Sequence, residues 1–340
     1  MTTKIKRFYN LVADIVAFAR LASLPGTTLP LFAGGFLASP HLSAAMILQL
    51  GAVGFAAHVY GFVLNDVVDL NIDRKNPRRQ GSPLVQGLVS PRVALFVAVA
   101  MIPLAHMILS SVTTSSAVDH LLLSISYILV GVYDIFGKRS AFPLLVSDLS
   151  FGVAMGILPL LGSHLATGEI RLRVVIMGIF FTLQLILLNS IHGGMKDIDT
   201  DLASGAVTTP IWWGVRAESS GFTRYPPSLR VYGMILQSVS IILLLFVALS
   251  GLQEAGSARG VATLLIILSL SVWVLIDTWK VLWTRNLELL RDPRYRHIML
   301  TAVMVSVVLL LFATNWIIIT VIVVSFSWDR LFRNLSVRFG

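Results

Sequence analysis

Two short acidic segments carry the residues whose types and spacing best suit chemistry. Asn65, Asp69 and Asp73 recur every four residues, and Asp197 and Asp201 repeat that spacing 128 positions later. On a helix such residues lie along one stripe, which drifts by about 40° per step. Hard divalent cations, Mg²⁺ above all, take carboxylate oxygens together with phosphate oxygens. The spacing therefore predicts a Mg²⁺ site at these five residues, with Asn65 as a neutral ligand or hydrogen-bond donor.

Each cluster also has a plainer interpretation. A single D-x-x-x-D is most often a solvated loop, but two clusters equivalent in place and spacing argue against that. Asn65 alone could be a helix C-terminal cap. Asp66 and Asp199 point away from the stripes, and each is interpreted either as a partner of a basic residue or as a solvated carboxylate.

Basic residues accompany the clusters. Carboxylates, a metal and basic side chains together suit a diphosphate, whose negative charge rises as it leaves. Positive charge retained in cytoplasmic loops is the alternative explanation for any one of these residues. Lys138 and Lys196 are the favoured diphosphate contacts, and the full set of candidates is Arg78, Arg79, Lys138, Arg139 and Lys196.

The elements that position these residues must be membrane helices. Of 340 residues, 56% are hydrophobic and 13% charged, which excludes a water-soluble fold. With no cysteine, the chain has no disulfide framework and no thiolate metal site. Apolar runs of about 20 residues predict nine spans, with approximate cores at 20–38, 43–64, 92–111, 119–136, 143–163, 171–195, 230–250, 259–283 and 297–326.

The basic residues also predict the orientation. Twenty of the 26 Lys and Arg fall on one side of these spans, so that side, with the N-terminus and both acidic clusters, is expected to be cytoplasmic. Asp14 and Arg20 interrupt a signal-peptide core, and residues 8–19 are predicted to form an amphipathic interfacial helix instead. The chain then reads as one polytopic domain over 1–340: segment 1–19, bundle 20–326 and tail 327–340. With nine spans, the basic tail falls on the opposite side.

Other polar residues lie at or within the spans. Tyr133 is a candidate for orienting the diphosphate or stabilising cationic character, and a membrane-interface anchor is the alternative. His58 lies near the Asn65 stripe and could line a cavity, or could pair with a backbone carbonyl. Asp148 could be a base on the acceptor side, or a helix-packing hydrogen-bond partner. His192 and Asp277 are similarly ambiguous.

The chain resembles the UbiA superfamily of intramembrane prenyltransferases. Asn65, Asp69 and Asp73 match that family's N-x-x-x-D-x-x-x-D motif, and Asp197 and Asp201 match its D-x-x-x-D motif. The resemblance covers roughly 20–326 and includes the four-helix offset between the motifs. Looser matches are Tyr133 with Lys138 and Arg139, and Gly205 with Thr208 and Thr209. One departure is Ser82-Pro83, where members commonly have Arg-Pro, so Arg78 or Arg79 is expected to supply that charge.

The resemblance implies an all-helical membrane fold of about nine spans, with a central cavity capped by cytoplasmic loops. It also implies Mg²⁺-dependent ionisation of an allylic diphosphate and capture of the carbocation by a small acceptor, aromatic in some members. The alternative is a terpene cyclase with the same metal site and no acceptor. A transporter is disfavoured because its ionisable residues are expected near the midplane. The expected partners are prenyl diphosphate, acceptor and bilayer; nucleic acid is not expected.

Overall fold

Helices make up nearly all of the regular structure in the computed structural model, which describes residues 3–217, 223–255, 257–284, 293–312 and 316–336. The α-helices are α1 Thr3–Phe18, α2 Leu24–Ala38, α3 Ala44–Val68, α4 Leu70–Asp73, α5 Pro91–Ser110, α6 Ala117–Phe136, α7 Ser150–Thr167, α8 Leu172–Leu187, α9 Gly194–Lys196, α10 Ile198–Ser204, α11 Thr209–Trp212, α12 Pro227–Ala255, α13 Ser257–Trp283, α14 Pro293–Phe312 and α15 Trp316–Ser336.

Shorter elements complete the described chain. Leu21–Ser23 and Pro77–Arg79 form 3₁₀ turns, while Leu144–Leu149 and Leu188–Gly193 form π-helical turns that lead into α7 and follow α8. Two-residue strands, β1 Arg216–Ala217 and β2 Thr223–Arg224, pair antiparallel. Because π-helical turns often mark functional sites, their position on these two helices bears on the site described below.

Local sequence accounts for the limits of several helices. Ser43 and Ser90 cap α3 and α5, because each side chain accepts a hydrogen bond from a backbone N–H in the first turn. Ser116 and Asp119 form a reciprocal capping box at the start of α6. At the C-terminal end of α7, Gly168 adopts φ 73°, a left-handed conformation that ends the helix.

Eight described helical segments are long and apolar enough to cross a membrane. They match the first eight predicted spans to within a few residues at each end. Ala44–Val68 and Leu172–Lys196 have the same length and the predicted offset of 128 residues. The predicted four-helix repeat therefore relates α2, α3, α5 and α6 to α7, α8, α12 and α13.

The first helices of the two halves, α2 and α7, pack closely against each other. A Cβ at Gly34 would lie 1.8 Å from the Pro159 carbonyl oxygen, and one at Gly162 would lie 2.0 Å from that of Leu31. Only glycine permits backbones to approach this closely. In contrast, α5 faces outward, with Phe96 and Met107 about 70% exposed. The two halves therefore meet at their first helices.

The predicted ninth span, 297–326, is wrong as a single crossing, because it contains two helices. At the end of α14, the Leu311 carbonyl accepts a hydrogen bond from Arg259 at the start of α13. In α15, Trp328 Nε1 donates to Leu21 at the start of α2, at 2.8 Å. We define the cluster side as the end of the bundle at which α3 and α9 finish. Since α14 leaves that side and α15 returns to it, the basic tail joins the N-terminus there.

The N-terminal helix is also present where it was predicted. Helix α1 covers residues 8–18 of the predicted 8–19 segment and begins earlier, at Thr3. Among its described side chains, Ala13 and Val16 are buried, while Leu11 and Ile15 are more than half exposed. An apolar face directed away from the protein suits a helix that lies at a membrane surface.

Candidate active site

The first acidic cluster forms where α3 breaks. Asp69 adopts φ −88° and ψ 4°, outside the helical range, and separates α3 from α4. Backbone hydrogen bonds nevertheless continue across the break, from Asp69 N to Asn65 O at 2.9 Å and from Asp73 N to Asp69 O at 2.8 Å. The predicted stripe of Asn65, Asp69 and Asp73 therefore survives, although the helix does not.

The second cluster is built in the same way. Asp197 adopts φ −106° and ψ 11° between α9 and α10, and Asp201 N donates to Asp197 O at 2.8 Å. Asp197 N donates to Gly193 O, the counterpart of the bond to Asn65. Gly205, at φ 73°, then ends α10 in a left-handed conformation. The 128-residue equivalence therefore extends to the backbone conformation of the two breaks.

Basic side chains bind the carboxylates of the first cluster. Arg79 donates to Asp66 Oδ1 at 2.6 Å and to Asp73 Oδ2 at 3.0 Å. Arg20 also donates to Asp66. Asp66 is thus the partner of two arginines, which was one of its two predicted interpretations. The sequence predicted that Arg78 or Arg79 would supply the positive charge missing at Ser82-Pro83, and Arg79 supplies a positive charge here.

Lys138 lies between the two clusters. Its ammonium donates to Asp69 Oδ2 at 2.7 Å, and it is also near enough to Asp201 and Asp73 for their charges to act on it. Its backbone carbonyl accepts a hydrogen bond from Val207 N, in the segment that follows the second cluster. Lys138 therefore connects one half of the molecule to the other through both its side chain and its main chain.

Burial and neighbouring charge shift the pKa values of these groups. Burial alone would lower the pKa of Lys138, but the carboxylates of Asp69, Asp201 and Asp73 outweigh it and raise that pKa. Burial raises the pKa of Asp73 despite the opposing charge of Arg79. Burial also raises the pKa of Asp201 to about 7, because the opposing Lys138 is offset by other nearby carboxylates. In both clusters, therefore, burial disfavours the charged form of a carboxyl group.

The donors fit a hard divalent cation. All five stripe residues offer oxygen, and Asp69 Oδ1 is a buried atom with no hydrogen-bond partner in the described structure. No three carboxylate or imidazole groups of the described residues already converge as a cation site. Instead, Arg79 and Lys138 neutralise the first cluster. A cation that binds there would therefore share these carboxylates with basic side chains or displace them.

Comparison with known proteins identifies the family. The model of the UbiA prenyltransferase family matches residues 27–290, most of the chain and both clusters. This chain belongs to the UbiA prenyltransferase family. The fold agrees: a UbiA homolog from Archaeoglobus fulgidus, solved bound to GPP and Mg²⁺, superposes with a TM-score of 0.62 at 15% identity, covering 88% of this chain and 99% of that one. A digeranylgeranylglyceryl phosphate synthase structure gives 0.65 at 16%, covering 88% and 98%.

Two UbiA-type relatives illustrate the similarity in sequence. A digeranylgeranylglyceryl phosphate synthase from Thermococcus sibiricus is 25% identical over 82% of this chain and 88% of its own length. A protoheme IX farnesyltransferase from Yersinia enterocolitica is 29% identical over 53% of this chain and 57% of its own length. The two relatives differ in the acceptor that their names describe, so family membership assigns prenyl transfer and leaves the acceptor open.

In this UbiA chain, Tyr133 begins a partly buried polar network. Its hydroxyl donates to Asn189 Oδ1 at 3.1 Å, and its ring stacks on Phe151. Asn189 Nδ2 donates to Asp148 Oδ1 at 2.6 Å, and the Thr209 hydroxyl donates to Asp148 Oδ2. Both Asp148 oxygens are therefore engaged, which favours a helix-packing role over that of an acceptor-side base.

His58 does not join the UbiA site. Its Nε2 lies 3.1 Å from the carbonyl oxygens of Ala19 and Arg20, and Thr27 Oγ1 lies 3.0 Å from its Nδ1. With 1% exposure, the ring has no surface left for a substrate. Pairing with backbone carbonyls, the other predicted interpretation, is the one the structure favours.

The remaining predicted contacts lie on the cluster side of the UbiA bundle. Arg139 donates to the carbonyls of Val68 and Ile135, and its guanidinium is 3.6 Å from Asp69. Lys196 is the last residue of α9 and is partly exposed. The side chain of Arg78 lies outside the described residues.

Sequence reasoning missed two residues that contact the cluster. Arg20 binds Asp66 from the turn before α2, 46 positions away in the chain. Asp134, on α6, is 4% exposed and accepts a hydrogen bond from Asn65 at 3.1 Å. A charge inside a predicted span was the available signal for Asp134, since such residues are rare in membrane helices and mark function.

Proposed function

We propose that the protein is a membrane prenyltransferase that moves an isoprenyl group from an allylic diphosphate to a small acceptor. One observation carries the proposal: two acidic clusters of matching backbone geometry lie at the same side of the bundle, with Lys138 between them. The allylic C–O bond breaks with its electrons leaving on the diphosphate. The acceptor then forms a bond to the same carbon and loses a proton.

We assign Asp69, Asp73, Asp197 and Asp201 as metal ligands, with Asn65 as the neutral fifth. The Archaeoglobus fulgidus homolog, solved with GPP and Mg²⁺, supports Mg²⁺ as the cation. Bound Mg²⁺ would neutralise diphosphate oxygens and lower the energy of the departing group. Oxygen-only donors and the unsatisfied Asp69 Oδ1 are the features of this chain that suit it.

The basic residues have two successive partners in this proposal. In the structure, Arg79 and Lys138 neutralise Asp66, Asp73 and Asp69. With a metal held by the carboxylates, these cations would be free to bind the diphosphate and stabilise the charge that grows on it. We also assign Arg139, Lys196 and Arg78 to that field, as the sequence predicts. Tyr133, held by Asn189, faces developing positive charge.

The acceptor is proposed only as a class. Relatives named for glyceryl phosphate and haem substrates show that related proteins act on quite different acceptors. A panel should therefore include aromatic acids, glyceryl phosphates and tetrapyrroles, each with allylic diphosphates of several lengths. A cyclase would give a cyclic hydrocarbon and free diphosphate with no acceptor present.

The decisive assay uses purified protein in lipid nanodiscs, radiolabelled prenyl diphosphates and the acceptor panel. We expect acceptor-dependent transfer of label, which EDTA abolishes and Mg²⁺ restores. Cyclic product without any acceptor would replace the transferase assignment by the cyclase. No diphosphate release from any substrate would refute both enzymes.

We also propose that the cluster side faces the cytoplasm. Most Lys and Arg lie there, and α15 brings the basic tail to the same side. Because the chain has no cysteine, single-cysteine variants label without background. In inside-out vesicles, an impermeant maleimide should label Gln80→Cys and Leu331→Cys but spare Thr113→Cys. The reverse pattern would contradict the proposed orientation.

A further inference from the structure

Asp134 is a buried carboxylate that the proposed mechanism does not use. It lies on α6, not on either acidic stripe, and only 4% of its surface is exposed. Its Oδ1 accepts a hydrogen bond from Asn65 Nδ2, while its Oδ2 has no partner in the described structure. Asp66 and Asp69 lie near enough to repel it. A third negative charge is costly beside two others, so its single contact with Asn65 is the feature to explain.

That contact determines which way the Asn65 amide points. An asparagine side chain has a donor end, the NH₂ group, and an acceptor end, the oxygen. In the structure, the NH₂ group faces Asp134 and donates to its Oδ1, so the oxygen faces away from Asp134. Without that partner, the amide would be free to present either end to the cluster. A metal ion would accept only the oxygen.

An asparagine in the second half makes a similar contact, although the direct counterpart of Asn65 there is Gly193. Asn189 Nδ2 donates to a buried carboxylate, Asp148, at 2.6 Å. Its oxygen is thereby left to accept the Tyr133 hydroxyl at 3.1 Å. In each half, an asparagine on the cluster-bearing helix gives its NH₂ group to an aspartate on a neighbouring helix. In each half, the amide oxygen is left for another partner.

We infer that Asp134 is a positioning residue that holds the Asn65 amide with its oxygen directed to the metal site. The inference rests on the proposed function, because the proposed function assigns Asn65 as a metal ligand. It predicts that the hydrogen-bond acceptor at position 134 matters and that its negative charge does not. The general cost of removing a partner behind a metal ligand is about 10–100-fold in metal affinity or activity.

Three single variants and one exchange variant separate the acceptor from the charge. Asp134→Asn keeps an oxygen that accepts from Asn65, whereas Asp134→Leu has a similar size and no acceptor. We expect the Mg²⁺ concentration for half-maximal turnover to rise about 10–100-fold in Asp134→Leu and to stay within about 3-fold of wild type in Asp134→Asn. The exchange variant Asn65→Asp with Asp134→Asn restores one amide and one carboxylate, and should recover most of the affinity lost in Asn65→Asp alone.

A binding measurement tests the same inference without turnover. Mn²⁺ gives an electron paramagnetic resonance signal when free, so its loss reports binding to nanodisc-embedded protein in the presence of inorganic pyrophosphate. We expect weaker Mn²⁺ binding in Asp134→Leu than in Asp134→Asn. Equal Mn²⁺ binding in the two variants would overturn the inference. So would an Asp134→Asn variant whose Mg²⁺-dependent turnover is as impaired as that of Asp134→Leu. If Asp134→Leu fails to fold, the exchange pair still decides the matter.

Failure of the proposed function gives a different result. If wild-type protein neither binds Mn²⁺ with pyrophosphate nor releases diphosphate, the assignment of the metal site itself is wrong. If wild type binds normally and position 134 makes no difference, only the positioning role is wrong.

Discussion

The two acidic clusters share one backbone geometry but have different surroundings. In the first, Asp66, Asp69 and Asp73 each contact a guanidinium or ammonium group from Arg79 or Lys138. In the second, Asp201 is buried, and its pKa rises to about 7 because burial and nearby carboxylates outweigh the influence of Lys138. The matching backbone of the two clusters therefore carries carboxyl groups in different electrostatic surroundings.

The difference indicates that the two clusters contribute differently to ligand binding. The first cluster has its own countercharge, so it is close to neutral before any ligand arrives. In the second, burial and nearby carboxylates outweigh the influence of Lys138 on Asp201, an imbalance that a divalent cation would relieve. Lys138 contacts the first cluster and acts electrostatically on the second, so it is the residue through which the two respond to each other.

The strongest test removes one carboxylate from each half. Asp69→Asn and Asp197→Asn should each lower turnover at least ~100-fold, since the loss of a direct ligand should exceed that of a supporting residue. The measurement is release of labelled diphosphate in nanodiscs. Asp199→Asn, in the same cluster but off the stripe, is the matched control and should keep most activity. Full activity in either stripe variant would mean that the clusters do not act together.

Removal of the shared cation comes next in size. Lys138→Met should lower kcat about 100-fold, because one ammonium serves both clusters and the departing group. Arg139→Met is the control, since that guanidinium mainly caps the carbonyls of Val68 and Ile135 and should cost less than about 10-fold. Equal losses in the two variants would show that general positive charge, and not the position of Lys138, is what matters.

Arg79 tests whether the first cluster depends on its own countercharge. Arg79→Met leaves Asp66 and Asp73 with less positive charge, and we expect about 2–3 kcal/mol of lost stability, reduced from a fully buried pair by partial exposure. Turnover should fall about 10-fold. Added Mg²⁺ should then raise the thermal midpoint more than in wild type. An unchanged Mg²⁺ response would separate the arginine from the metal site; Arg74→Met, on an exposed neighbour, is the control.

The smallest effect on turnover is expected at the interface between the halves. Gly34→Ala places a Cβ 1.8 Å from Pro159 O, and overpacking of this kind costs about 1–3 kcal/mol. Gly162→Ala, its counterpart at the 128-residue offset, should cost a similar amount. Gly26→Ala meets nothing within 4 Å and is the control. Thermal midpoints measure the loss; a large fall in kcat at an unchanged midpoint would link this interface to chemistry.

Periodicity predicted most of what lies along a single helix. Hydropathy predicted nine spans, of which eight match. Four-residue spacing predicted the stripes, because backbone hydrogen bonds continue through the breaks at Asp69 and Asp197. The ninth span failed because a long apolar run does not reveal where a chain turns. Contacts between helices were also missed: Asp134 has no periodic partner, and the Asn189–Asp148 contact joins two π-helical turns. Propensity and spacing along one helix do not report such pairs.

His58 has a consequence for how mutations in this protein are interpreted. Arg20 adopts a left-handed conformation at φ 47°, which costs a non-glycine residue about 1–2 kcal/mol. His58 contacts the carbonyls of Ala19 and Arg20, in the turn from which the Arg20 side chain reaches Asp66. In a saturation-mutagenesis screen His58 should therefore be nearly as intolerant as the metal-site aspartates. Intolerance there would report how a guanidinium is aimed, and not contact with substrate.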